Sequence, residues 1–168
     1  MTNENVEMVY EQGVSYMGQG EKNKALEFFD KALKLDNYYL PAWNDKGVIL
    51  LENKDYTGAL DCFERVIILN PADPLSYYNK GYVQLLLEDY KGSIETFQGF
   101  LDIYTKKNDF QRYAFLLKAK AHHALNENDE ALRLLEIAVK KDRSFKEARD
   151  LYIEILREQN KNEESDFK

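Results

Sequence analysis

The stretch PAWNDKGVILLENKDYTGALDCF, Pro41 to Phe63, decides the fold. Its leucines and isoleucines, with no β-branched run of strand length, predict helix on both sides of the polar turn ENKDY. Gly47 interrupts the first helix, where glycine costs about 1 kcal/mol relative to alanine. Something in the fold must require a residue without a side chain there.

The requirement recurs. Gly13 stands thirty-four residues before Gly47, and Gly81 thirty-four after it. The same shift carries Ala25 to Ala59 to Ser93, all small, and Phe29 to Phe63 to Phe97, all large and aromatic. KALEFFDKAL, GALDCFERVI and GSIETFQGFL therefore align without gaps. A fourth copy places Ala119 at the glycine position, Ala131 at the small position and Leu135 at the large one. Gly81 to Ala119 is thirty-eight residues, so four extra residues fall in YTKKNDFQ, Tyr104 to Gln111, as a longer turn or a helix extension. SFKEARDLYIEILREQ then carries Phe145, Ala148, Leu151, Ile155 and Leu156 close to a helical stripe.

Each unit reads as helix, short polar turn, helix, and such short connections force antiparallel hairpins. Asp55, Asp89 and Asn128 are the expected N-caps of the second helices. Pro71, after VIILN, fits a helix stop. Helix backbones approach to about 8–10 Å only where a side chain is small, so the glycines are expected to meet Ala25, Ala59, Ser93 and Ala131. The phenylalanines, one turn on, are expected to fill the space against the next unit.

This pattern resembles the tetratricopeptide repeat. Trp43, Gly47, Ala59, Phe63 and Pro71 of the second unit fall on that family's Trp, Gly, Ala, Phe and Pro positions. The first unit keeps Gly13, Tyr16, Ala25, Phe29 and Ala32; the third keeps Tyr77, Gly81 and Phe97; the fourth keeps Ala119, Ala131 and Ala138. The resemblance implies an all-α, right-handed α-solenoid of antiparallel helix hairpins, a superhelix over residues 1–160. Its repeats are placed at 6–39, 40–73, 74–107 and 112–145, with a capping helix at 145–160 and a disordered tail at 161–168.

Composition narrows the function. A formal net charge of −7 argues against nucleic-acid binding, which needs cations to displace phosphate counterions. The N-terminus carries acids where a signal peptide carries Lys or Arg, and no apolar run reaches membrane-span length, so a cytoplasmic protein is expected. Cys62, the single cysteine, reads as a small buried hydrophobe. His122 and His123 are adjacent and diverge by about 100° on a helix, so they cannot share a metal. No metal, cofactor or catalytic constellation is expected.

The resemblance places the first helices along one concave surface. Tyr10, Val14, Asn44, Val48, Tyr78, Tyr82, Tyr113 and Leu116 are the expected peptide-binding residues, extended by Met17, Leu51, Leu85 and His123. Some members of the family hold acidic chaperone tails through a clamp of Lys, Asn and Arg. Here those positions are Tyr10, Val14, Asp45, Leu75 and Asn79, which supply no cation to a carboxylate. The expected partner is a protein or peptide segment, apolar with neutral or basic flanks, docking in the groove. The alternative is a homo-oligomeric structural module that uses the same groove or the terminal helix to bind a second copy.

Overall fold

The structure, a computed structural model, describes residues 5–105 and 109–166. Among the described residues the chain forms nine α-helices and no strand. They are α1 (Val6–Gly18), α2 (Lys22–Leu35), α3 (Leu40–Glu52), α4 (Tyr56–Leu69), α5 (Pro74–Leu86), α6 (Tyr90–Ile103), α7 (Asp109–Ala124), α8 (Asn128–Lys141) and α9 (Lys146–Asp166). The chain divides into two compact units, the first through Val83 and the second from Gln84, with the boundary inside α5.

The first unit is built on the hairpins α1–α2 and α3–α4. Its core joins Val9, Ala25, Phe29, Ala32 and Leu33 to Ala42 and Ile49 of the next hairpin. Phe63 forms the next layer with Ala59 and Val83, so each aromatic reaches forward to the following first helix as the repeat requires. The glycine contact differs from the sequence expectation. A Cβ at Gly47 would lie 2.8 Å from Phe63 Cε1 and 3.1 Å from Cys62 Cβ, and one at Gly13 would lie 2.6 Å from Phe29 Cε1. The glycines therefore accommodate the aromatic rings of their own hairpins, while Ala25 and Ala59 are buried nearby as core residues.

In the second unit the hairpin α7–α8 and helix α9 share one core. Leu116, Ala119, Ala131, Leu134, Leu135 and Ala138 pack with Phe145, Ala148 and Ile155. Helix α7 has 16 residues where α1, α3 and α5 have 13, so most of the extra length between the third and fourth units is helix extension. Helix α9 runs to Asp166, well into the stretch expected to be disordered. Asn160 to Asp166 has neither proline nor glycine, and Lys161, Glu163 and Glu164 are good helix formers. Residues 167–168 lie outside the described residues.

The turns inside the hairpins share one backbone design. The only left-handed residues among those described are Gly20, Lys54, Glu88 and Asn126, one in each hairpin turn. In the second hairpin the Lys54 N–H donates to the Leu51 carbonyl and the Asp55 N–H to the Leu50 carbonyl; Glu88 and Asp89, and Asn126 and Glu127, do the same. This is the Schellman closure of a helix C-terminus. Asp55 and Asp89 then cap α4 and α6, accepting from the N–H groups of Gly58 at 3.1 Å and Gly92 at 3.0 Å. Asn128 does not cap α8. Glu127 holds that position without a side-chain capping bond, and Asn128 Oδ1 instead meets His123 Nδ1 at 2.8 Å.

A glutamate at Glu88 bears the Cβ strain of the left-handed conformation, with φ of 61°. Glu88→Gly is expected to raise stability by about 0.5–1 kcal/mol, since relief of that strain outweighs the flexibility gained by the unfolded chain. Asn126→Gly should gain less, because asparagine tolerates this conformation. Urea midpoints at constant m check both; a loss of stability in Glu88→Gly would contradict the turn geometry.

Candidate functional surface

The surface-bearing residues of the first unit are carried by α1, α3 and α5. On α1, Tyr10 is only half exposed, and its ring is committed to the fold. It sits 5.7 Å from Phe29 and edge-on to Tyr39 at 5.2 Å. Its hydroxyl donates to Asp45 Oδ2 at 2.8 Å. Burial, and after it the hydrogen bond to Asp45, push the phenol far above the usual tyrosine range, so it stays neutral. Tyr10 thus braces α1 against α3 more than it reaches outward.

Val14 and Met17 continue along α1, partly buried against the same core. On α3, Asn44 is half buried, and its Oδ1 accepts from the Ser76 hydroxyl at 3.0 Å. That bond fixes the amide, leaving its NH₂ oriented away from Ser76. Val48 and Leu51 follow, half exposed beside the Phe63 layer. On α5, Tyr78 is half exposed, Tyr82 is 37% exposed and Leu75 is 47% exposed. Helix α5 therefore presents the most open apolar residues of the row.

The local field is negative. Burial raises the Tyr39 phenol, and the carboxylates of Glu7 and Glu11 raise it further. Two cations of the same unit are held elsewhere, with Lys46 on Asp30 at 2.6 Å and Lys80 on Glu64 at 3.0 Å.

The second unit treats the remaining two positions differently. Leu116 is 2% exposed and belongs to the core shared by α7, α8 and α9. It cannot touch a ligand without unfolding that core, and its place among the surface residues is corrected. The cluster that encloses it takes Leu135 from α8 and Ala148 and Ile155 from α9. Tyr113 is half buried, edge-on to Phe145 at 4.8 Å.

Several titratable side chains outside the row are engaged in structure. His122 Nδ1 lies 2.6 Å from Glu127 Oε2, and Lys118 donates to Gln98 Oε1 at 2.6 Å. Burial pushes the Cys62 thiol up to about 11, which makes it a poor nucleophile at neutral pH. No group of three or more His, Cys, Asp or Glu side chains is disposed to hold a metal among the described residues. No described helix is long and apolar enough to cross a membrane.

Hairpins of 13- and 14-residue helices, locked by a glycine under an aromatic ring and repeated every thirty-four residues, define an α-helical repeat protein. Tetratricopeptide-repeat models match residues 7–39, 41–73 and 75–107, together more than half of the chain. The chain belongs to the tetratricopeptide-repeat family. The family matches end at residue 107, and the structure supplies the fourth hairpin, α7–α8.

Among solved structures, a MamA protein from Desulfovibrio magneticus RS-1 is similar at 26% identity and a TM-score of 0.74, covering 84% of this chain and 77% of that one. A tetratricopeptide-repeat protein from Parabacteroides merdae is similar in fold at 18% identity and a TM-score of 0.79, covering 97% of this chain and 62% of that one. An uncharacterised protein of Methanocaldococcus jannaschii is 41% identical over 44 residues, 26% of this chain. The chain spans about half the length of that curated relative. The all-α solenoid class follows, and with it the general capacity of the fold for protein–protein interaction.

Proposed function

We propose that the protein is a non-catalytic, cytoplasmic interaction module that takes an apolar segment of a partner protein, with neutral or basic flanks, on the first-helix surface of its first unit. The observation that carries this reading is α5, which holds Leu75 and Tyr82 open to solvent in line with Tyr78. Aromatic side chains of this kind give much contact area for little lost conformational entropy. Val48, Val14 and the oriented amide of Asn44 complete the surface, and Tyr10 serves it by fixing α1 on α3. The acidic surroundings, Glu7 and Glu11 among them, favour basic flanks and disfavour nucleic acid and anionic membranes.

The test is a Tyr78→Ala/Tyr82→Ala double variant compared with the parent in affinity capture followed by mass spectrometry. The variant should keep the helical circular dichroism and melting of the parent yet lose its specific partner. Capture of the same partner at undiminished yield would sink the assignment. Light scattering on both proteins addresses the other reading: a concentration-dependent mass that the double variant abolishes would give this surface to a second copy.

A further inference from the structure

The second unit carries an exposed surface of opposite charge, remote in chemistry from the row on α1, α3 and α5. A groove of about 360 Å³ runs between α8 and α9, floored by Val139, Tyr152 and Ile153 and rimmed by Glu136, Lys140 and Arg149. Glu136 is already partnered: Tyr152 Oη lies 3.5 Å and Lys140 Nζ 3.8 Å from its carboxylate. Along α9 the apolar floor continues outward as Ile153, 45% exposed, and Leu156, 37% exposed. Leu156 belongs to the apolar stripe of the sequence yet lies on the open side of the helix. Phe145, Ala148 and Ile155 face the core instead.

Over residues 146–158 the charges of α9 are largely sorted around these two residues, and further along the helix Glu164 returns to the direction of Lys146. At about 100° per residue, Lys146, Arg149, Ile153, Leu156 and Arg157 fall within one sector of about 100°. Glu147, Glu154 and Glu158 occupy a separate sector, with Asp150 on the border between them; Glu158 reaches towards His123 Nε2 at 3.6 Å. Lys146, Arg149 and Arg157 are exposed and form no ion pair with a described residue. A chain of net charge −7 has thus gathered three cations around its exposed isoleucine and leucine, of which only Arg149 also acts on a nearby carboxylate, that of Asp142.

We propose that this α8–α9 face is a second docking surface, and that its occupant is an acidic amphipathic segment of a partner protein, with apolar side chains in the groove and carboxylates on Lys146, Arg149 and Arg157. The chemistry is the complement of the surface: burial of apolar side chains against Val139, Ile153 and Leu156 supplies affinity, and unpaired cations at the rim supply selectivity for acid. It does not rest on the α1–α5 surface, whose surroundings favour the opposite charge.

The probe is a fluorescein-labelled amphipathic helix of leucine and glutamate, titrated by anisotropy against the full chain, beside the same peptide with lysine for every glutamate. The glutamate peptide should bind saturably, at least about tenfold tighter than the lysine peptide, and should weaken as salt is raised. Lys146→Glu/Arg149→Glu should reverse the order of the two peptides, and Ile153→Ser should weaken both. All three positions are exposed, so the helical spectrum and melting temperature should be retained. Tyr78→Ala/Tyr82→Ala should bind the glutamate peptide as the parent does, which separates this surface from the first. Equal affinity for the two peptides, or no saturable binding, overturns the proposal. So does a dimer in sedimentation equilibrium that Ile153→Ser dissociates, because a second copy would then be the occupant.

Discussion

Phe63→Ala is expected to cost about 3–5 kcal/mol, the range for deleting a fully buried aromatic ring. The ring has no solvent exposure and packs with Ala59 and Val83. One face of it rests on Gly47, which has no side chain to move into the vacated volume. The cavity therefore stays open, and the contact between the second hairpin and the third first helix is lost with it. Urea unfolding followed by circular dichroism measures the change, and a loss below about 1 kcal/mol would show that the layer can collapse around the gap.

Gly47→Ala should destabilise the protein by about 1–3 kcal/mol, although alanine is the better helix former. The added methyl would stand 2.8 Å from Phe63 Cε1 and 3.1 Å from Cys62 Cβ, closer than packed carbons tolerate. Both neighbours are buried, so relief requires the hairpin to open. Gly18→Ala provides the opposite sign. At the end of α1 its methyl would meet nothing within 4 Å, and the helix should gain several tenths of a kcal/mol. Paired melting curves decide the matter: a stabilising Gly47→Ala would mean that helix propensity, and not the ring above it, governs that position.

The fold was readable because the period ties three unlike requirements to fixed positions. A glycine, an alanine and a phenylalanine that recur together at thirty-four residues leave little else to build. The partner of the glycine was not readable, because spacing along a helix says which face a residue occupies and not which atom comes closest. The left-handed turn was also half hidden: Gly20 and Asn126 have the residue types that signal it, while Lys54 and Glu88 adopt the same backbone without them. Leu116 illustrates the limit at the candidate surface. Its position in the repeat matches Tyr10, Asn44 and Tyr78, yet it is enclosed in the core shared by α7, α8 and α9, and no local signal records what later helices will cover. Leu156 fails in the other direction, apolar by sequence and open by structure.

The turn that recurs at Gly20, Lys54, Glu88 and Asn126 has a kinetic consequence. Its two main-chain hydrogen bonds close within six residues, so each hairpin is brought together at little loop-closure entropy. The side-chain hydrogen bond from Tyr10 to Asp45, which joins one hairpin to the next, spans 35 residues. A chain built from contacts between neighbouring hairpins has low contact order and should fold quickly, with any of its hairpins able to act as the nucleus. The four left-handed residues, mildly strained where they are not glycine, are then what lets assembly begin at several places along the chain.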